Sequence, residues 1–311
     1  MKTRTSSGRE SGSGSRSATL IGLLRPANGV IAGAAVLVGA FVSASSVEWG
    51  AAVLGALAAL AATGAANALN DSRDVESDLV NRPGRPLPQG RVSPAAALIL
   101  AFGLYAASLI LVYPLGGSAT LLVGAWIVLT ALYSFALKGV PLFGNLVVAF
   151  VAASPLLMGG ATQGVAPYRP GPAALDAMAT LPGHRLLILF FLAALLHMAR
   201  ELVKDAEDVE GDRSAGTRTF AVVAGVRSSV SVARVLLVAS MWAAAAPFAM
   251  RLLGWGYLAL LVPIEGALVW LLVESSRALR EGGDGPSLRR VSNGLKIVMV
   301  LGLAAFAAGA V

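Results

Sequence analysis

Two short windows of this chain place carboxylates in the same order. Asp71-Ser72-Arg73-Asp74-Val75-Glu76-Ser77-Asp78 aligns with Asp205-Ala206-Glu207-Asp208-Val209-Glu210-Gly211-Asp212 at a constant offset of 134 residues, both reading D-x-x-D-V-E-small-D. With Glu201 they hold ten of the 17 acidic residues, and each is followed by a Gly and an Arg, Gly84-Arg85 and Gly216-Thr217-Arg218. Such an internal repeat points to two related halves. In a helix Asp71, Asp74 and Asp78 share a face, as do Asn70, Asp74 and Asp78; Asp205, Asp208 and Asp212 repeat the pattern. A face of three carboxylates repels itself unless a cation sits against it. Hard oxygen ligands suit Mg²⁺, which keeps several waters and takes one or two carboxylates together with substrate phosphates. Two such faces, opposed, would grip a diphosphate through bridging metals. The surrounding Arg73, Arg82, Arg85, Lys138, Arg200, Lys204 and Arg218 could neutralise the remaining phosphate charge. A lone acidic run beside a membrane span is ordinarily a solvated loop, but repetition, shared face and basic neighbours together argue otherwise. The D-x-[DN]-x-[DN]-G spacing of an EF-hand is absent.

The elements that must carry these motifs are apolar. Of 311 residues 56% are hydrophobic and 13% charged, about half the charge of a soluble domain, with a mean hydropathy of +0.74. Runs of helical length are expected at about 26–44, 49–69, 94–113, 117–136, 142–162, 186–203, 228–249, 255–273 and 294–311. Pro26 suits a first helical position. The sixth run is the weakest span, because it leads directly into Arg200-Glu201-Leu202-Val203-Lys204-Asp205. All but three of the 24 Lys and Arg residues (Arg169, Arg185 and Arg251) fall on one side if the N-terminus is cytoplasmic and the C-terminus outside. The expected fold class is therefore all-α: a polytopic cell-membrane protein of nine transmembrane helices bundled around a central cavity, in two related halves. Residues 1–17, rich in Ser, Gly and Arg, read as a disordered cytoplasmic tail rather than a signal peptide, ahead of one domain over 18–311. Residues 163–185 read as a long outer loop and 276–293 as a basic inner loop. No cysteine is present, which excludes disulfides, thiolate metal sites and a Cys nucleophile. The net charge of +7 is explained by membrane orientation, and nothing points to nucleic acid or to an obligate protein partner.

On these residues the chain resembles the UbiA superfamily of intramembrane prenyltransferases. Asn70 to Asp78 matches its N-D-x-x-D-x-x-x-D, and Asn81-Arg82-Pro83-Gly84-Arg85-Pro86-Leu87-Pro88-Gln89-Gly90 its N-R-P-x-R-P-[IL]-P-x-G. Leu132-Tyr133-Ser134, Leu137-Lys138, Pro141-Leu142 and Gly144-Asn145 look familiar in the middle. Arg200-Glu201-x-x-Lys204-Asp205-x-Glu207-Asp208-Val209-Glu210-Gly211-Asp212 looks most like the archaeal-type digeranylgeranylglyceryl phosphate synthases within the superfamily. A departure, Phe220-Ala221 where Leu-Pro is common, bears on subfamily more than on chemistry.

The resemblance implies prenyl transfer, geranylgeranyl in this subfamily, from an isoprenyl diphosphate to a lipid acceptor hydroxyl, that of geranylgeranylglyceryl phosphate, with an aromatic acceptor of the 4-hydroxybenzoate type as the alternative. It implies Mg²⁺ held by Asn70, Asp74 and Asp78 on one side and Asp205, Asp208 and Asp212 on the other. Asp74, Asp78, Asp205 and Asp212 would be the catalytic set. Arg82, Arg85, Lys138, Lys204 and Arg218 would bind diphosphate, and Arg25 and Asn28 would face an anionic acceptor. Arg25 reads equally well as a snorkelling interface anchor, and Lys138 has the same plain alternative. His197 reads as a packed or interfacial residue, and Tyr133 is given no role. A secondary transporter is the reading from another class, although transporter sites sit near the bilayer midplane and these carboxylates sit at helix ends.

Overall fold

In lipid, a backbone must satisfy its own N–H and C=O groups, so long apolar runs fold as helices. The computed structural model describes residues 19–164, 181–282 and 285–311. In chain order these hold α1 (Pro26–Ser43), α2 (Trp49–Arg73), a short α3 (Val75–Asn81), α4 (Pro94–Val112), α5 (Gly117–Leu132), α6 (Phe143–Ala153), α7 (Pro155–Thr162) and α8 (Leu181–Glu207). There follow two short helices, α9 (Val209–Ser214) and α10 (Phe220–Ala224), then α11 (Val226–Ala244), α12 (Ala246–Ala249), α13 (Trp255–Arg280) and α14 (Gly285–Gly309). Among the described residues nine helical units are long and apolar enough to cross a membrane, with α6–α7 forming one unit, Phe143–Thr162, and α11–α12 another, Val226–Ala249. These are the nine runs read from the sequence. The tail at 1–17 and most of the 163–185 segment, including Arg169, lie outside the described residues.

Local chemistry sets the ends. Arg25 adopts a left-handed conformation (φ 47°, ψ 66°) that separates a helical turn at 19–24 from α1, and Pro26 occupies the first position of α1. Ser93 caps α4 by accepting from the Ala96 N–H at 3.2 Å, with Pro94 behind it. The segment 276–293 is not the loop expected from its charge. Helix α13 runs on to Arg280 and α14 begins at Gly285. Arg277 and Arg280 sit in the last turn of α13, where positive charge complements the helix dipole. At the start of α14, Arg289 donates to Glu207 at 2.9 Å and Arg290 to Glu274 at 3.3 Å, so those charges are carried on helix without leaving the aqueous end.

Small residues let the helices approach, as they must where apolar burial gives no net drive between spans. Helix α1 crosses α7 through Gly39 and Gly159, where an added methyl would collide with the Leu156 and Val36 carbonyls. The buried side of α2 is Ala52, Gly55, Ala58, Ala59, Ala62 and Ala65. Beside α13, Gly256 meets Ala308 and Gly309 meets Tyr257. The Gly254 N–H donates to the Gly309 carbonyl at 2.7 Å, which fixes the C-terminal end of α14 against the start of α13, away from the aspartate motifs.

Candidate functional site

The two repeat windows fold alike. Each long helix, α2 and α8, ends one residue before the middle aspartate of its motif, and Asp74 (φ −95°, ψ 11°) and Asp208 (φ −96°, ψ 6°) make the same break. The helical ladder continues across it: the Asp74 N–H donates to Asn70 O and the Asp208 N–H to Lys204 O, both at 2.9 Å. The Asp78 and Asp212 amides bond back to Asp74 and Asp208 at 2.8 and 3.0 Å. The continuous helix assumed from the spacing is therefore bent at its centre, while the i, i+4 relation of the carboxylates is kept.

The bent ends, α3 and α9, face and interlock. Ser77 Oγ donates to Asp212 Oδ1 at 2.9 Å, Asn81 Nδ2 to the Asp208 carbonyl at 2.8 Å, and the Gly211 N–H to Asn81 Oδ1 at 3.1 Å. Ser77 and Gly211 hold the same place in the repeat and meet each other. A Cβ at Gly211 would lie 2.5 Å from the Ser77 carbonyl, which explains the small residue in the motif.

Not all the aspartates face inward. Asp71, 2% exposed, is consumed by ion pairs to Arg25 and, at 3.3 Å, to Arg85. It braces the end of α2 and is not part of the cavity wall. Asn70, Asp74 and Asp78 from one motif and Asp205, Asp208 and Asp212 from the other all line a single cavity of about 300 Å³. Their charges are matched by Lys138 on Asp74 (2.6 Å), Arg85 on Asp78 (2.6 Å), and Arg82 (2.7 Å) and Lys204 (3.5 Å) on Asp208. Asp205 accepts from Asn145 Nδ2 at 2.8 Å, and Asn70 Oδ1 accepts from Ser134. Burial would raise the Asp208 carboxyl, but Lys204 and Arg82 outweigh it and hold the group below the usual aspartate range. At Asp212 burial prevails over Lys138 and Lys204, and the carboxyl is pushed up. Burial opposes the Arg82 charge, yet Asp208 and Glu207 hold its pKa above the ordinary arginine value.

Seven of the nine spans contribute to the cavity, and α11–α12 and α13 stand behind it. From the aspartates the wall turns apolar through Ile31, Ala32, Val148, Leu196, Leu303 and Phe306. Arg82, Arg85, Lys138, Lys204, Arg25 and Asn28 line it as the sequence suggested; Arg218 does not, being exposed on the connection before α10. The lining also includes Arg200, named from the sequence among the phosphate-neutralising residues, and Tyr133, His197, Glu201 and Lys296, to which the sequence gave no site role of their own. His197, Glu201 and Asp205, like Arg200, Lys204 and Asp208, follow one another at i, i+4, a spacing that could have extended the second motif one turn or more back along α8.

Among the described residues no three Asp, Glu or His groups converge as a ready metal cage. The donor chemistry nevertheless fits a hard divalent cation: carboxylates and one amide oxygen line the same wall, and Asp208 Oδ1 is buried without any hydrogen-bond partner. Mg²⁺ commonly takes one or two carboxylates and completes its shell with water and substrate phosphate, so a full protein cage is not required.

Comparison with known proteins gives the family and the fold. The model of the UbiA prenyltransferase family matches residues 32–309. A digeranylgeranylglyceryl phosphate synthase of Natronomonas pharaonis is 36% identical over 273 residues, covering 88% of this chain and 92% of that protein. One of Methanopyrus kandleri is 35% identical over 286 residues, covering 92% and 97%. Among solved structures, a UbiA homologue from Aeropyrum pernix superposes with a TM-score of 0.74 at 20% identity, covering 90% of this chain and 97% of that one. A UbiA homologue from Archaeoglobus fulgidus bound to GPP and Mg²⁺ gives 0.62 at 17% identity, covering 93% and 99%; at these identities the likeness is one of fold.

Proposed function

We infer, from the premise that this chain belongs to the UbiA prenyltransferase family, that it moves a geranylgeranyl group from its diphosphate to the hydroxyl of geranylgeranylglyceryl phosphate, forming an ether lipid. The observation that carries this reading is the meeting of the two aspartate motifs at one end of a cavity whose far wall is apolar. A diphosphate head between the motifs and a prenyl chain along Ala32, Val148 and Leu303 match that polarity. A transporter reading has no support from the family.

In the reaction the acceptor oxygen forms the new bond to the allylic carbon while the bond from that carbon to diphosphate oxygen breaks, and the diphosphate departs with the electron pair. The acceptor hydroxyl proton passes to an oxygen of the departing diphosphate. Asn70, Asp74 and Asp78, with Asp205, Asp208 and Asp212, are the residues that would hold Mg²⁺. When bound, the ion neutralises charge gathering on the leaving group. Arg82, Arg85, Lys138 and Lys204 are already paired with the aspartates, so they stand ready to turn to phosphate oxygens. The apolar wall keeps water from the electron-poor allylic carbon. Arg25, just before α1, and Asn28 in its first turn border the same cavity and serve the acceptor. The aspartate end faces the cytoplasm of a cell membrane, in line with the side holding all but three of the basic residues.

Purified protein given geranylgeranyl diphosphate, Mg²⁺ and either geranylgeranylglyceryl phosphate or 4-hydroxybenzoate tests the reading by product mass. Alkylation of the glycerol phosphate lipid is expected, stopped by chelation and restored by Mg²⁺. Preference for the aromatic acid would overturn the acceptor assignment.

A further inference from the structure

Five basic side chains that line the cavity beside the aspartates are spoken for: Lys138 by Asp74, Arg85 by Asp78 and Asp71, Arg82 and Lys204 by Asp208, Arg25 by Asp71. Lys296 is different. It lies inside the span Pro286–Gly309, lines the cavity, and has no ion pair or hydrogen bond among the described residues. A charge within a span that faces a cavity is costly and calls for a functional partner. The charged groups acting on it are Arg200, Arg25 and Glu201. Arg200 donates one Nη to Glu201 at 2.8 Å, while its Nε is buried with no partner. The Arg200–Glu201 pair is neutral, and Lys296 adds a positive charge with no direct partner, so unused N–H donors stand on two helices that pack together, α8 and α14.

We propose that Lys296 and Arg200 form a second anion subsite, separate from the diphosphate position, that binds the phosphate monoester of the acceptor lipid. Arg200 lies one helical turn, about 6 Å along α8, before Lys204, the residue that touches Asp208. The subsite therefore adjoins the aspartates on the membrane-inward side without being built from them. Helix α14 also supplies what an amphiphile needs below its head group: after Lys296 it lines the cavity with Met299, Leu303 and Phe306. The neighbouring α1 repeats the sequence from polar to apolar with Arg25 and Asn28 followed by Ile31 and Ala35, and α1 packs against α14. An anionic head with a hydrocarbon tail fits the seam between them. A neutral acceptor would leave the Lys296 charge unmatched.

The inference rests on the acceptor named under the proposed function, and the test separates the two. Steady-state kinetics of the full chain in detergent would compare wild type, Lys296→Met, Lys296→Gln and Lys296→Arg. Geranylgeranyl diphosphate is the donor, and geranylgeranylglyceryl phosphate or the corresponding dephosphorylated alcohol the acceptor. Loss of a charge-assisted hydrogen bond should raise KM for the phosphorylated acceptor about 10-fold or more in both neutral variants. Donor KM should stay within about twofold, the arginine variant should recover most of the loss, and turnover of the alcohol should not respond. An unchanged acceptor KM, or an equal rise in both KM values, would overturn the subsite. Failure of wild type to alkylate the phosphate lipid would instead sink the acceptor assignment. The subsite then stands or falls on whether monododecyl phosphate raises the Tm of Mg²⁺-free wild type but not of Lys296→Met; an equal rise in both would end it.

Discussion

Aspartates that look equivalent in the repeat differ in what they touch. Asp74, Asp78, Asp205, Asp208 and Asp212 line the cavity, whereas Asp71 is buried in ion pairs with Arg25 and Arg85. The separation has a measurable consequence. Asp74→Ala or Asp212→Ala should lower turnover at least about 10²- to 10³-fold, the scale on which a group stabilising developing charge is missed, while the protein still elutes as a folded species. Asp71→Ala should do the reverse, because it strands the half-buried Arg25 guanidinium and leaves Arg85 with Asp78 alone. A loss of about 3–5 kcal/mol of stability is expected, read as a lowered Tm, with metal dependence retained by the surviving fraction. Wild-type turnover in Asp74→Ala, or an unaltered Tm in Asp71→Ala, would contradict the division. The spacing placed Asp71 on the same face as Asp74; the bend at Asp74 and the arginines arriving from residues 25 and 85 decide otherwise.

At the scale of helices, the site is the joint between α3 and α9. Each is too short to be stable in isolation, and each is held by the other through Ser77, Asn81 and Gly211. Gly211 has no room for a side chain there. Gly211→Ala should push the two turns apart at a cost of about 1–3 kcal/mol, leave circular dichroism unchanged, and raise the Mg²⁺ concentration needed for half-maximal turnover, since each half still folds but the motifs no longer meet. An unchanged Mg²⁺ response would show that the joint is not what sets the distance between motifs. The repeat was visible in the sequence as D-x-x-D-V-E-small-D, including the need for a small residue. That the two small positions touch was not, because periodicity describes one helix and never its neighbour.

Across the whole molecule, the nine spans found among the described residues are expected to leave the start of α1 and the end of α14 on opposite sides, and the Gly309 contact with Gly254 sets the C-terminal end of α14 away from the motifs. The absence of cysteine makes the orientation directly testable. A single cysteine replacing Ser214 should label from the cytoplasmic side of sealed vesicles, and one replacing Ala310 from the opposite side; reversed labelling would invert the assignment. The bundle also distributes its work unevenly. Spans α11–α12 and α13 do not reach the cavity, although their apolar runs are indistinguishable from those that do.

Span number, the helical class and the paired motifs were legible in the sequence, because lipid forces long apolar runs into helices and the repeat fixes residue spacing along them; the charged ends of the spans were not. Tertiary structure alone decided which charges meet. It drew Asp71 away from the site, left Arg218 outside the wall, and turned the basic 276–293 segment into helix ends anchored on Glu207 and Glu274. It also brought Lys296, counted in the sequence merely as one more inward-side positive charge, into a cavity beside Arg200. Partnership between charges depends on separations in space of a few ångströms between residues about a hundred positions apart, and no regularity along one chain encodes that distance.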